Sequence, residues 1–122
     1  GHSVVMDANA AYKGDGSGAR PLQLVLYAIA GCTGMDVISI LEKKRQVVTG
    51  FDLVVKGTQR TDEYPKIYSR IDVEYIVTGV DVKPEAVARA IELSEEKYCS
   101  VKGMFGHQVE VVTSYRVLEA ER

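Results

Sequence analysis

From Leu24 to Leu41 nearly every position is apolar or small, inside the stretch LQLVLYAIAGCTGMDVISILEKKR that runs from Leu22 to Arg45. No polar face offsets the apolar one, and a helix that is apolar all round is buried all round. At ~1.5 Å rise per residue the stretch spans roughly 36 Å. A compact chain of this size has a radius of gyration of about 14 Å, so the helix crosses the whole molecule. One small domain cannot wrap such a rod. The pattern therefore predicts a partner subunit over the remaining face, with Gly31 and Gly34 letting a second helix backbone come close beside Cys32. Pro21 suits the first turn, where its missing N–H costs nothing. Lys43, Lys44 and Arg45 end the helix with charge that complements its dipole.

The remaining pattern is that of a sheet and one more helix. Gly50 to Arg60 alternates, with Phe51, Leu53 and Val55 on one face and Asp52, Val54 and Lys56 on the other. Ile67 to Val77 alternates again, with Ile67, Ile71, Val73, Tyr75 and Val77 pointing one way, and the turn Thr61 to Pro65 joins the two runs as an antiparallel hairpin. Pro84 and Glu85 open a second helix with Val87, Ile91, Ser94 and Tyr98 along one side and Glu85, Arg89, Glu92 and Glu96 toward water. Gln108 to Leu118 is a last strand with Val109, Val111, Tyr115 and Val117 inward. Ser3 to Ala8 leans to β structure and calls for a leading strand before it, while Ala11 to Arg20 is a glycine-rich loop. The order is α+β, an antiparallel sheet packed on a long buried central helix and a second helix.

The length of 122 residues corresponds to a single domain, 1–122. Net charge is −2 with no charged block, which argues against nucleic acid as a partner. The start GHSVVMDA lacks the features of a secretory signal, and the two cysteines are far apart, so a reducing cytoplasm is expected. Asp36, Ser39 and two glycines within the apolar run argue against a membrane span.

The candidate chemistry rests on Cys32 and Cys99. Their separation excludes a C-x-x-C redox or zinc motif. A cysteine in an apolar run is ordinarily an inert core residue. Two details argue for reactivity: small neighbours leave room for a substrate at Cys32, and Cys99 follows the second helix, from where it can meet the first. A pair of thiols brought together cycles between dithiol and disulfide. Asp36 lies one turn after Cys32 on the same face, where a bare carboxylate opposes thiolate formation. It is either neutralised by Arg20, Arg70 or Arg116, or satisfied by backbone or a strand side chain. His2, Cys32, Cys99 and His107 match no compact metal spacing, so no metal and no cofactor are expected, and His107 at the start of the last strand reads as a surface or strand-edge residue. Tyr27 and Tyr98 are either core or the lining of an apolar pocket.

The blocks ARPLQLVLYAIAGCTGMDVISILEKKRQ and EKYCSVKGMFGHQVEVVTSYRV, with the hairpin between them, resemble the OsmC/Ohr family and within it the OsmC-like subgroup of the YhfA type. The resemblance implies an OsmC-like fold, an intertwined homodimer with two long buried central helices and active sites at the subunit interface. It also implies a thiol-dependent peroxidase that reduces organic hydroperoxides in oxidative-stress defence. In such enzymes Cys32 would be the peroxidatic residue, oxidised to a sulfenic acid, and Cys99 the resolving one, with a dithiol reducing the resulting disulfide. Two family features are unmatched. The glutamate that follows the helix-starting proline is here Leu22, followed by Gln23, and the thiolate-activating arginine belongs to a leading segment before Gly1. Arg20 is the candidate substitute. The alternative function is a dimeric binding protein for a small apolar ligand that lacks efficient peroxidase chemistry. A third reading is another cysteine reaction in the same pocket, thiol transfer or thioester cleavage.

Overall fold

A computed structural model describes residues 1–121. Helix α1 spans Pro21–Lys43, strands β1 and β2 span Val47–Gln59 and Tyr68–Val80, and α2 spans Pro84–Leu93. A π turn at Ser94–Tyr98, the short helix α3 at Ser100–Gly103 and strand β3 at Glu110–Glu119 complete the order. Pro21 occupies the first turn of α1 as expected, and the Gln23 side chain turns back to accept the Arg20 backbone N–H at 2.9 Å.

The hairpin forms as the alternation predicts, with β1 and β2 antiparallel and Leu53 opposite Tyr75. The expectation of a wholly antiparallel sheet needs one correction, because β3 runs parallel to β2 and pairs Tyr75 with Tyr115. The connection from β2 to β3 carries α2, the π turn and α3. It is long enough to return the chain to the starting end of β2, which a parallel neighbour requires. The class remains α+β, with a three-stranded mixed sheet in the order β1-β2-β3.

Central β2 supplies the buried face through Ile71, Val73, Tyr75 and Val77, and α1 lays Ile29, Val37 and Leu41 on it while α2 adds Val87, Ala90 and Ile91. Full burial of one such aliphatic side chain stabilises by about 1.5–3 kcal/mol. Ser3 to Ala8 forms no strand, only a bridge between Met6 and Ala19. The Asp7 carboxylate instead gathers the glycine-rich loop, accepting the N–H groups of Asp15, Gly16 and Ser17 at 3.1, 2.7 and 3.0 Å.

The expectation that α1 is buried on all sides is met on one side only within a single chain. Ile29, Thr33, Gly34, Val37 and Leu41 are buried, whereas Tyr27 is 66% and Met35 72% exposed. Apolar grooves flank that open face. One, of about 480 Å³, is lined by Gln23, Leu26, Tyr27, Ala30, Leu53 and Val55. A second, of about 260 Å³, runs past Gly31, Gly34, Met35 and Phe51. Tyr27 is therefore a groove residue, and so is Tyr98, 50% exposed over α1.

Candidate active site

The sequence pattern of α2 continues at helical spacing through Tyr98, but the chain departs from it at Ser94. There the helix widens to a π turn, closed by the Cys99 N–H donating to the Ser94 carbonyl at 2.8 Å, an i→i+5 bond. The extra residue rotates the exit. Tyr98 swings outward and Cys99, one position later, turns in and is 5% exposed. Single π turns within helices concentrate at functional sites. Cys99 then caps α3, its Sγ accepting the Lys102 N–H at 3.4 Å.

This displacement brings the second thiol to the first. The Sγ atoms of Cys32 and Cys99 and a carboxylate oxygen of Asp36 all lie within 4.8 Å of one another. Cys32 and Asp36 are half-buried, and Cys99 is buried. Burial pushes the Cys99 thiol up from the ordinary thiol range; the Lys102 N–H opposes that rise and the neighbouring Cys32 adds to it.

Asp36 is satisfied by hydroxyls. Ser94 Oγ donates to Asp36 Oδ2 at 3.0 Å, Thr33 Oγ1 lies 2.9 Å from Ser94 Oγ, and the Tyr75 hydroxyl lies 2.5 Å from Thr33 Oγ1. Each hydroxyl has one proton to give and a carboxylate only accepts. With the Ser94 proton committed to Asp36, Thr33 donates to Ser94 and Tyr75 donates to Thr33. The chain thus runs one way, from the strand through α1 and the π turn to the carboxylate. Tyr75 is pushed up to about 12, first by burial, with the Thr33 bond opposing it and the charges of Glu95, Cys99 and Asp36 adding to the rise.

The arginines take no part in this arrangement. Arg70 pairs with Asp72 at 2.9 Å and Arg116 with Glu74 at 3.5 Å, both on the outer face of the sheet. Arg20 stands at the start of α1, twelve positions before Cys32, which is about 18 Å along a helix. Its charge is felt by Tyr68 at the start of β2. Within one chain, then, Arg20 does not support the thiol, because the helix that carries both holds them apart. His107 is exposed beyond α3, as expected.

Sequence reasoning missed two contributors. Thr33 reads only as a small polar neighbour of Cys32, yet it is 3% exposed and joins two hydroxyls. Glu95, four residues after Ile91, flanks the inner face of the helix and was assigned to neither side, yet its Oε1 is buried and without a hydrogen-bond partner among the described residues. Glu95, Tyr75, Thr33 and Cys99 line a cavity of about 10 Å³ beside Cys99. The available signal was a polar residue at a core position: Ser94 and Tyr75 both fall on apolar faces, where a hydroxyl needs a partner. On the open side, a groove of about 370 Å³ lined by Asp36, Ser39, Ile40, Lys43, Lys44, Leu93 and Tyr98 leads to the carboxylate.

Comparison with known proteins agrees with this architecture. The sequence profile described as OsmC-like protein matches residues 14–114. Protein YhfA of Escherichia coli (strain K12) is 45% identical over 121 residues, covering 98% of this chain and 86% of that protein. The crystal structure of a hypothetical protein from Aquifex aeolicus VF5 superposes with a TM-score of 0.80 at 38% identity, over 88% of this chain and 80% of the other. The organic hydroperoxide resistance protein OhrB of Bacillus subtilis shares the fold with a TM-score of 0.62 at 20% identity, over 92% of this chain and 79% of its own.

Proposed function

The chain belongs to the OsmC family, and from that premise we propose that it is a thiol-dependent peroxidase that reduces organic hydroperoxides in the cytoplasm as part of oxidative-stress defence. The observation that carries the reading is the approach of Cys32 and Cys99 to within 4.8 Å across two separate elements. In this reaction the Cys32 thiolate attacks the distal oxygen of ROOH, the O–O bond breaks, and the alkoxide leaves as ROH after taking a proton. Cys32 is then a sulfenic acid. Cys99 attacks that sulfur, the S–S bond forms, the S–O bond breaks, and hydroxide leaves as water. An external dithiol returns the pair to thiols by exchange.

Asp36 is the residue suited to carry the proton from Cys32 to the leaving alkoxide, standing in for the carboxylate that Leu22 does not provide. It is within reach of the sulfur, and its donor chain holds it in place. The second step needs the proton of Cys99 removed. Glu95 Oε1, buried, without a partner among the described residues and lining a cavity with Cys99, is the acceptor for it.

The assembly is a homodimer in which the open face of α1 packs on a second copy. Tyr27 and Met35 are large apolar side chains left in solvent by one chain, and Gly31 leaves open space where a partner helix fits. The apolar grooves beside that face also suit a binding protein without peroxide turnover, and one experiment separates the two. Reduced protein is mixed with cumene hydroperoxide and its free thiols are counted over time. Rapid loss of both thiols of each chain supports the peroxidase, and slow or partial loss supports the binder.

A further inference from the structure

The two thiols and the carboxylate have a second chemistry that neither the spacing along the chain nor the peroxidase reading uses. We propose that the reduced protein binds one divalent zinc ion through Cys32 Sγ, Cys99 Sγ and an Asp36 carboxylate oxygen, with the fourth position open, and that oxidation of the thiol pair to a disulfide abolishes the site. Tetrahedral zinc holds thiolates at about 2.3 Å and carboxylate oxygens at about 2.0–2.2 Å, which sets ligand-to-ligand edges of roughly 3.5–3.8 Å. The three donor atoms already lie within 4.8 Å of one another. Closure by ~1 Å, within the reach of side-chain rotation, completes the triangle.

The surroundings have the features of a built site. Metal ligands are ordinarily oriented by hydrogen bonds from groups around them. Ser94 donates to the Asp36 oxygen Oδ2 and the Lys102 N–H donates to Cys99 Sγ. The Ser94 hydroxyl is itself fixed by Thr33, buried at 3% exposure. Two sulfurs and one oxygen form a soft, anionic set that selects zinc over magnesium or calcium, which take all-oxygen sites. The groove past Asp36 and Ser39 reaches one of the three ligands from solvent and supplies an entry path. Cys32 and Asp36 share one face of α1 by spacing, but the third ligand is one that sequence spacing cannot reveal, because the π turn brings Cys99 to α1.

The redox dependence balances simply. Diamide removes two electrons and two protons from the thiols, the S–S bond forms, and neither sulfur retains the thiolate charge that holds the metal. Zinc and peroxide therefore compete for one pair of sulfurs.

The test is a titration of the reduced, chelator-treated protein with zinc chloride against a chromophoric chelator. One zinc per chain is expected. Cys32→Ser and Cys99→Ser each lower affinity by about 100-fold or more, and Asp36→Asn lowers it by about 10–100-fold. Diamide treatment abolishes binding and a dithiol restores it in the same sample, which keeps the test valid if a variant misfolds. Cobalt substituted for zinc produces a thiolate-to-metal charge-transfer band and the visible bands of a tetrahedral ion. Binding that is unchanged by diamide overturns the proposal, as does one zinc shared by two chains, or Asp36→Asn affinity equal to wild type. Because no peroxide enters this titration, protein that forms the disulfide with hydroperoxide yet ignores zinc defeats the metal site alone, and the converse defeats the peroxidase alone.

Discussion

Cys32 and Cys99 end up side by side, but they reach that position by opposite means. Cys32 lies within a regular helix, and the residues one turn to either side of it keep α-helical spacing. It is half-buried and borders small side chains. Cys99 depends on a departure from regularity, the π turn that shifts the inward position from Tyr98 to Cys99. It is buried, and its burial holds the proton on the sulfur. The accessible thiol suits first contact with a substrate, whereas the shielded one suits attack on a neighbour already oxidised. Two chemically identical side chains thereby differ in access and burial, a difference that fits the two steps proposed for them.

The sharpest way to break this comparison is to remove each sulfur in turn. Cys32→Ser should reduce hydroperoxide consumption by about 10³-fold or more, since removal of a nucleophile removes most of the rate acceleration. Cys99→Ser should keep the first turnover, leaving a sulfenic acid that dimedone traps, and lose every later one. A coupled assay with a dithiol reductant measures both. Equal loss in the two variants would contradict the division of labour.

Next in size is the geometry itself. Inserting one alanine after Glu96 adds a further residue to the π turn, and one residue rotates a helix by about 100°. Steady-state turnover should fall by about 10²-fold, with Cys99 failing to form the disulfide in non-reducing mass analysis; a factor of ~10² corresponds to the 1 Å-scale misplacement of a reacting group. Far-UV circular dichroism should remain close to wild type, since α2 and the sheet keep their residues.

A smaller effect is expected at the face beside Cys32. A Cβ at Gly31 meets nothing within 4 Å in its own chain, whereas one at Gly34 meets Leu53 Cδ1 at 3.2 Å. Gly31→Leu should therefore leave the folded chain intact and weaken only a dimer, by about 1–3 kcal/mol of overpacking. Analytical ultracentrifugation over a dilution series measures this. A dimer of unchanged affinity would move the partner surface elsewhere.

Thr33→Val tests the hydroxyl chain behind the two thiols. It leaves the Tyr75 hydroxyl and Ser94 short of a partner and should cost about 1–3 kcal/mol in urea unfolding. The smallest effect concerns pH. Cys99 is an acid whose folded pKa is raised. As pH climbs through the ordinary thiol range, the unfolded chain loses that proton first, so the stability from this group is complete below that range and declines above it. In the Cys32→Ser background, alkylation of Cys99 by iodoacetamide should rise with pH only above the range of a free thiol.

The hairpin was legible from the sequence because period-two alternation maps directly to one buried face, and Ile71, Val73, Tyr75 and Val77 are buried as the pattern requires. The length of α1 was legible for the same kind of reason, a continuous apolar run opened by Pro21 and closed by lysines. Strand direction was not: the β3 alternation has the same period whether the strand runs up or down, and only the long crossover made it parallel. Within one chain Arg20 does not reach Cys32, because nearness along a helix is a distance through space, about 1.5 Å for each residue. The hydroxyl chain escaped notice because Thr33, Ser94 and Tyr75 are far apart in sequence and meet only in the core.

By itself, the amino-acid sequence determined the elements, their inner faces and the identity of the two thiols, since periodicity, caps and residue chemistry are local properties. Tertiary structure alone decided that Cys99 turns inward, that Asp36 is held by the Ser94 hydroxyl, and that one carboxylate oxygen of Glu95 is buried. These are outcomes of which backbone bond closes at Ser94 and which surfaces then meet, and such long-range contacts leave no period in the chain.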